Sequence, residues 1–142
     1  VLYYSLHVFE RSEMIDDIIL VVGEGQESYC RSEIIQKYHL TKVKAVIPGG
    51  KERYESVYFA LKYMDEQKNV AGAASEGIVF IHDGARPFVD EAMIQRAYSE
   101  VNVQGACVVG PVKLLEGSYE NIKITTPEDI GVAECFAEKR KK

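Results

Sequence analysis

Short apolar runs alternate along the chain with amphipathic segments, and this alternation constrains its fold more than any other feature. Asp17–Val22 is rich in branched apolar residues, which is typical of a strand buried on both faces. Val43–Ile47, Gly77–His82 and Ala106–Gly110 predict three further strands. Strands that alternate with helices predict an α/β domain whose mostly parallel sheet is flanked by helices. Ligands of such sheets bind beyond the carboxyl ends of the strands.

Helical periodicity fills the intervals between these strands. The predicted helices are Gln26–Leu40, Arg53–Gln67, one that Asp90 caps and one that Thr126 caps, with Pro127 in its first position. The side chains expected to face the core are Ile34, Ile35 and Tyr38, then Val57, Ala60, Leu61 and Met64, and finally Ile94, Ala97, Tyr98 and Val101.

The chain opens, over residues 1–6, on a helical pattern without Met or a capping residue, so we expect further residues upstream. A second interruption lies at Gly110-Pro111, between two strand-like runs. Proline cannot donate to a central ladder, and two parallel strands need a crossover of about a dozen residues. We therefore expect a single domain over residues 1–142 with a gap near residues 110–114. An edge strand bent at Pro111 is the alternative.

Composition narrows the class of protein further. With 142 residues, 46% of them hydrophobic and 27% charged, the chain matches one soluble globular domain. The net charge of −5 gives no overall attraction for nucleic acid, and no apolar run approaches the ~20 residues of a membrane span. Its three widely spaced cysteines form no CxxC pair, which argues against zinc or a disulfide framework and favours the cytoplasm.

Two loops that follow predicted strands carry residues suited to ligand binding. The first, Pro48–Ser56, is termed the GGK loop; it lacks the complete phosphate-binding P-loop pattern. Gly49 and Gly50 nevertheless permit close backbone approach, and Ser56 adds a hydroxyl beside the free N–H groups of a helix start. A plain turn with Arg53 and Glu55 in solvent is the alternative.

The second loop, His82–Phe88, is termed the DGAR loop. Asp83 offers a carboxylate for a metal or a sugar hydroxyl, and Arg86 offers a planar fork for a phosphate. A salt bridge between these two residues would explain them equally well. We expect His82 to be packed rather than catalytic.

Two other features have competing interpretations. Gly23–Ser28 nearly matches the dinucleotide-binding fingerprint, but Glu24 and Glu27 would repel a pyrophosphate, so we interpret it as a turn and helix start. Lys123 lies between Ile122 and Ile124, and strand alternation places its side chain on the opposite face. That face is either a ligand cleft or solvent.

Three segments together resemble a known family: PGGKERYESV, VFIHDGARPFV and EGSYENIKITTPEDI, in this order. They are similar to the 2-C-methyl-D-erythritol 4-phosphate cytidylyltransferases of non-mevalonate isoprenoid biosynthesis. The resemblance implies a Rossmann-like nucleotidyltransferase fold, a homodimer and a Mg²⁺ cofactor. It also implies a reaction of CTP with methylerythritol phosphate that releases pyrophosphate. The family's N-terminal glycine-rich loop has no match here, and its dimerisation arm belongs where the chain has its seam at residues 110–114.

The resemblance further implies roles for individual residues. Gly50, Lys51 and Ser56 would contact the nucleotide at its cytosine, and Gly84 would contact the ribose. Asp83 and Arg86 would bind the methylerythritol phosphate, with Asp83 beside the metal. Lys123 would bind the substrate at its reacting phosphates and act there as the catalytic residue.

Two other functions remain compatible with the sequence. A ribitol-5-phosphate cytidylyltransferase has the same fold and chemistry with another acceptor. A non-catalytic α/β binding module is the other alternative, and it would not bind CTP. Neither nucleic acid nor a membrane is an expected partner.

Overall fold

The computed structural model describes residues 1–71, 77–107 and 127–139. It divides into two compact units, the first formed by Val1–Met14 with His82–Lys142, and the second by Ile15–Ile81. The elements in chain order are α1 (Leu2–Arg11), β1 (Ile18–Val22), α2 (Glu27–Cys30), β2 (Val43–Pro48), α3 (Arg53–Ala71), α4 (Glu91–Gln104) and α5 (Pro127–Lys139). Predicted strands within residues 108–125, and the cap Thr126, lie outside the described residues.

The second unit is built on a parallel pair of strands. Leu20 of β1 pairs with Val46 of β2, and the register shifts between Ile18 and Ile19. Parallel strands need a crossover, which α2 and the turns after it supply. The two predicted strands and their parallel order are confirmed. In β1 only Leu20 is buried, so the expected burial of the whole strand on both faces is wrong.

The crossover contains an unusual helical segment. After α2 the chain continues as a π-helix over Arg31–Gln36, where the sequence predicts one regular α-helix. The wider turn changes which side chains face inward. Leu40 is buried, whereas Tyr38, expected in the core, is 43% exposed. The Arg31 guanidinium donates to the Val46 carbonyl at 3.2 Å and ties this segment to β2.

Helix α3 begins where the sequence predicts and ends four residues later than expected, at Ala71. Val57, Ala60 and Met64 are half-buried as expected, but Leu61 is exposed and its predicted inward position is wrong. The near match to a dinucleotide fingerprint before α2 is an ordinary turn. The Gln26 N–H donates to the Gly23 carbonyl at 3.0 Å, and Gly25 adopts φ +80°, which favours glycine.

The first unit packs around α4. Asp90 accepts a hydrogen bond from the Met93 N–H at 2.8 Å, so the predicted N-cap is confirmed. Ile94 and Ala97 are buried as predicted, together with Phe88, Val89 and Met93. Val101 is half-buried, while Tyr98 is exposed, contrary to the prediction. Helix α5 begins at Pro127 as expected, and its Phe136 meets Phe88 edge-to-face.

One predicted strand does not form in the described part of the chain. Residues 77–83 do not form a strand, although Gly77–His82 has a strand-like composition. Ala106 and Cys107, the described start of another predicted strand, are not in a strand either. The sheet that the structure describes is therefore smaller than the sequence predicts. Within the described ranges, none of the helices combines the length and apolar character needed to cross a membrane.

Candidate functional site

The GGK loop continues the sheet before it turns into α3. The Gly49 N–H donates to the Val22 carbonyl at 2.7 Å, which anchors the start of the loop to the end of β1. A Cβ atom at Gly49 would lie 2.7 Å from the Ser56 Oγ and 3.3 Å from Val21 Cγ1. Only glycine fits at this position, because the backbone passes directly against α3 and β1.

Two of the predicted nucleotide contacts are hydrogen-bonded to each other. The Gly50 N–H donates to the Ser56 Oγ at 3.1 Å, so the structure brings these residues together. The Ser56 hydroxyl in turn donates to the Glu52 carbonyl at 3.4 Å. One lone pair of the Ser56 oxygen remains for a ligand, since a hydroxyl has one donor and two acceptor positions.

Glu55, which the alternative interpretation of this loop as a plain turn would place in solvent, is a structural member of the loop. Its Oε2 accepts from the Glu52 N–H at 3.0 Å, and its side chain occupies the space that a Cβ at Gly50 would need. Glu55 is the third residue of α3, from which a carboxylate reaches back to the residue before the helix. That spacing was the signal in the sequence that could have identified it.

The DGAR loop is a tight turn in the first unit. The Asp83 Oδ1 accepts from the Ala85 N–H at 3.1 Å, and the Arg86 N–H donates to the Asp83 carbonyl at 2.9 Å. A Cβ at Gly84 would lie 3.1 Å from Leu2 Cδ1, so this glycine lies against α1. The three predicted ligand contacts Asp83, Gly84 and Arg86 are thus brought together by one turn.

His82 is packed, as expected. Its ring lies edge-to-face against Phe9, with 5.0 Å between the ring centroids. Its Nε2 is buried and has no hydrogen-bond partner among the described residues. Burial lowers the pKa of His82 from its usual 6.5; Asp83 partly opposes that shift, and Arg86 adds to it.

The remaining predicted site residues are less defined. Lys51 lies exposed at the tip of the GGK loop. Lys123 lies outside the described residues. The described ranges hold no cluster of three or more His, Cys, Asp or Glu side chains arranged for a metal ion. Asp83 therefore offers a single carboxylate, a donor set that suits Mg²⁺ when substrate phosphates complete the coordination.

The parallel strands and the helical crossover between them define an α/β fold, with the GGK loop directly after the second strand. A solved structure with the same fold is 4-diphosphocytidyl-2C-methyl-D-erythritol synthase from Anaerococcus prevotii, with a TM-score of 0.54 and 20% identity, over 96% of this chain and 85% of that chain. The family profile of 2-C-methyl-D-erythritol 4-phosphate cytidylyltransferase matches residues 1–114. The chain belongs to this family.

Individual relatives agree with this assignment. A 2-C-methyl-D-erythritol 4-phosphate cytidylyltransferase of Clostridium kluyveri is 31% identical, with 94% of this chain and 82% of that protein covered. The enzyme of the same name from Alkaliphilus metalliredigens is 42% identical over 114 residues, which cover 80% of this chain and 44% of that protein. The C. kluyveri alignment extends over 199 positions, so that relative contains residues without counterpart in this chain of 142.

Proposed function

We propose that the protein transfers the cytidylyl group of CTP to 2-C-methyl-D-erythritol 4-phosphate, forming 4-diphosphocytidyl-2-C-methyl-D-erythritol and pyrophosphate. Family membership over residues 1–114 supports the reaction. The hydrogen bond between Gly50 and Ser56 is the observation that carries the proposal in the structure, because it joins two residues that the resemblance assigns to one base.

Ser56 provides a physical basis for choosing cytosine. Its hydroxyl proton is directed to the Glu52 carbonyl and one lone pair to the Gly50 N–H, so its open position is an acceptor. The 4-amino group of cytosine is a donor and matches it, whereas the 4-carbonyl of uracil presents lone pairs. Two acceptors that face each other, here the Ser56 oxygen and the uracil carbonyl, lower the binding affinity when they are shielded from water.

The DGAR loop is suited to the acceptor. Asp83 and Arg86 would bind the methylerythritol phosphate, and Gly84 would meet the ribose through its backbone. The turn fixes the Asp83 carboxylate through the Ala85 N–H. The Arg86 guanidinium is exposed and permanently charged, which suits a phosphate monoester.

The chemistry follows from positioning and charge. An oxygen of the acceptor phosphate attacks the α-phosphorus of CTP, a new P–O bond forms, and the bond to the β-phosphate breaks in line to release pyrophosphate. Such a reaction needs little acid–base catalysis, so the protein contributes orientation and charge neutralisation. Lys123 would neutralise the reacting phosphates. Mg²⁺, held by Asp83 and the substrates, would add positive charge at the same oxygens.

Two further properties belong to this proposal. The resemblance supports a homodimer, which light scattering would detect as twice the mass of one chain that carries the segment missing near residues 110–114. A cytoplasmic location is supported by the three cysteines, Cys30, Cys107 and Cys135, which are all free thiols.

The decisive experiment follows pyrophosphate and product formation by ³¹P NMR from CTP, methylerythritol phosphate and Mg²⁺. The experiment uses a longer protein, here called the completed polypeptide. It consists of this chain plus the residues of the C. kluyveri relative that have no counterpart in this chain. UTP replaces CTP in one control, and ribitol 5-phosphate replaces the acceptor in another. We expect product only with CTP and methylerythritol phosphate. Equal turnover with ribitol 5-phosphate, or none with either acceptor, would contradict the proposal.

A further inference from the structure

Glu55 and Ser56, two successive residues of α3, each hold one amide of the GGK loop. The Glu55 carboxylate accepts from the Glu52 N–H at 3.0 Å, and the Ser56 hydroxyl accepts from the Gly50 N–H at 3.1 Å. Lys51 lies between these two tethered amides. The loop is thus fixed on both sides of its tip by side chains from one helical turn.

Glu55 and Gly50 also fit each other sterically. The Glu55 Cβ and carboxylate lie where any side chain at position 50 would have to be. Position 50 therefore has room for glycine alone while Glu55 occupies this place. Truncating Glu55 to alanine would leave its Cβ beside Gly50 but release the Glu52 amide.

The charge of Glu55 indicates which end of a nucleotide this loop receives. The N-terminus of a helix ordinarily attracts phosphate through its free N–H groups and its dipole. Here a carboxylate of the protein already lies at the start of α3 and accepts from the residue before it. A second anion would be repelled, whereas an uncharged base would not.

We propose that Glu55 is a positioning residue for the cytosine end of the nucleotide. It acts through the loop backbone by holding Gly50–Glu52 in the conformation that keeps Ser56 oriented for the base. The inference rests on the proposed function and extends it to a residue that does not itself touch the substrate. This role requires a side chain at position 55 that is long enough to accept a hydrogen bond from the Glu52 N–H. Glutamine can therefore replace Glu55, and alanine cannot.

Two measurements test this. Amide hydrogen exchange by NMR on the 142-residue chain reports the Glu52 and Gly50 N–H groups, and steady-state kinetics of the completed polypeptide report KM and kcat for CTP. Glu55→Ala should speed exchange at Glu52 by about fivefold and raise the KM for CTP by about as much, with kcat little changed. Glu55→Gln should remain close to the native protein in both. Glu66→Ala, an exposed position on the same helix, is the matched control.

The outcomes separate the inference from the function on which it rests. Unchanged exchange at Glu52 in Glu55→Ala would overturn the inference, as would faster exchange with an unchanged KM, which would leave a helix cap without a role in binding. A fall in kcat that glutamine does not rescue would assign the carboxylate charge to the reaction itself and also overturn it. If the native completed polypeptide uses no CTP, the proposed function fails and the inference fails with it.

Discussion

The imidazole of His82 lies edge-to-face on the ring of Phe9, at 5.0 Å between centroids, and joins the start of the DGAR loop to α1. Both residues belong to the first unit. Because the buried Nε2 has no partner among the described residues, the neutral form of this histidine is the one that the fold accommodates.

This environment predicts a stability that depends on pH. Burial lowers the pKa of His82 below 6.5, so the unfolded chain binds a proton more readily than the folded one. The stabilisation is present above the unfolded pKa and is lost as the pH falls below it. The free energy of unfolding, measured by urea titration in EDTA, should decline from about pH 7.5 to about pH 5. The decline should be smaller in His82→Leu. His39→Gln, at an exposed position, is the control; an equal decline in His82→Leu would contradict the prediction.

Ser56→Ala should reduce the preference of the completed polypeptide for CTP over UTP by about tenfold or more. The variant removes the acceptor that matches the cytosine amino group, and it also frees the Gly50 amide. The ratio of kcat/KM for the two nucleotides measures this effect. Ser99→Ala, an exposed serine on α4, should leave the ratio unchanged. A Ser56→Ala variant with native selectivity would remove Ser56 from base recognition.

Asp83→Asn should impair catalysis more than folding. The amide oxygen of asparagine can still accept from the Ala85 N–H, so the turn is retained while the negative charge is lost. We expect kcat/KM to fall by about tenfold or more, with a steeper dependence on Mg²⁺ concentration. Kinetics beside a thermal melt test both parts. A large loss of stability with full activity would make Asp83 a structural residue.

Lys123→Ala in the completed polypeptide should lower kcat/KM for methylerythritol phosphate by at least about a hundredfold. A positive charge in a site shielded from water stabilises developing phosphoryl charge far more than a charge at the surface does. The melting temperature should hardly change, because lysine contributes little to a core. Lys123→Arg should rescue poorly, since a planar fork does not replace a point charge. Near-normal turnover in Lys123→Ala would return this lysine to a solvent-facing role.

The gap expected from the sequence near residues 110–114, here called the seam, gives a prediction at the level of the whole chain. The family profile ends at residue 114, and the C. kluyveri alignment is longer than this chain. We expect that the unmatched internal residues of that relative, inserted at the seam, produce a dimer by light scattering. The same residues inserted after residue 105 should leave the protein monomeric. A monomer from the seam insertion would refute this placement of the missing segment.

Local signals in the sequence predicted the elements that local chemistry determines. The Asp90 cap and Pro127 at the start of α5 are confirmed because each depends on residues within a few positions. The two parallel strands are confirmed as well, from their apolar runs, although their pairing joins distant residues such as Leu20 and Val46. Tyr38 was placed wrongly because a π-helical turn shifts the inward face, and periodicity assumes a regular α-helix. Tyr98 was placed wrongly because the inward face of α4 is narrower and centres on Met93, Ile94 and Ala97.

In the candidate site, too, some features could be predicted from the sequence and others depend on the three-dimensional arrangement. Composition and position after strands singled out Gly50, Ser56, Asp83 and Arg86, and the structure groups them in two turns. Sequence reasoning assigned Glu55 no role and left it in solvent only in the alternative of a plain turn. Its contact with Gly50 depends on how the loop folds back, which only the three-dimensional arrangement shows.

The confined backbone at Gly49 determines where this loop can be altered. The Gly49 N–H donates to the Val22 carbonyl. Its α-carbon has no room for a side chain beside Val21 and Ser56. Protein engineering aimed at a different nucleobase should therefore leave Gly49 unchanged. The adjustable chemistry lies in the first turn of α3, where a change of hydroxyl, amide or carboxylate would alter the hydrogen-bonding edge while the main chain stays in place.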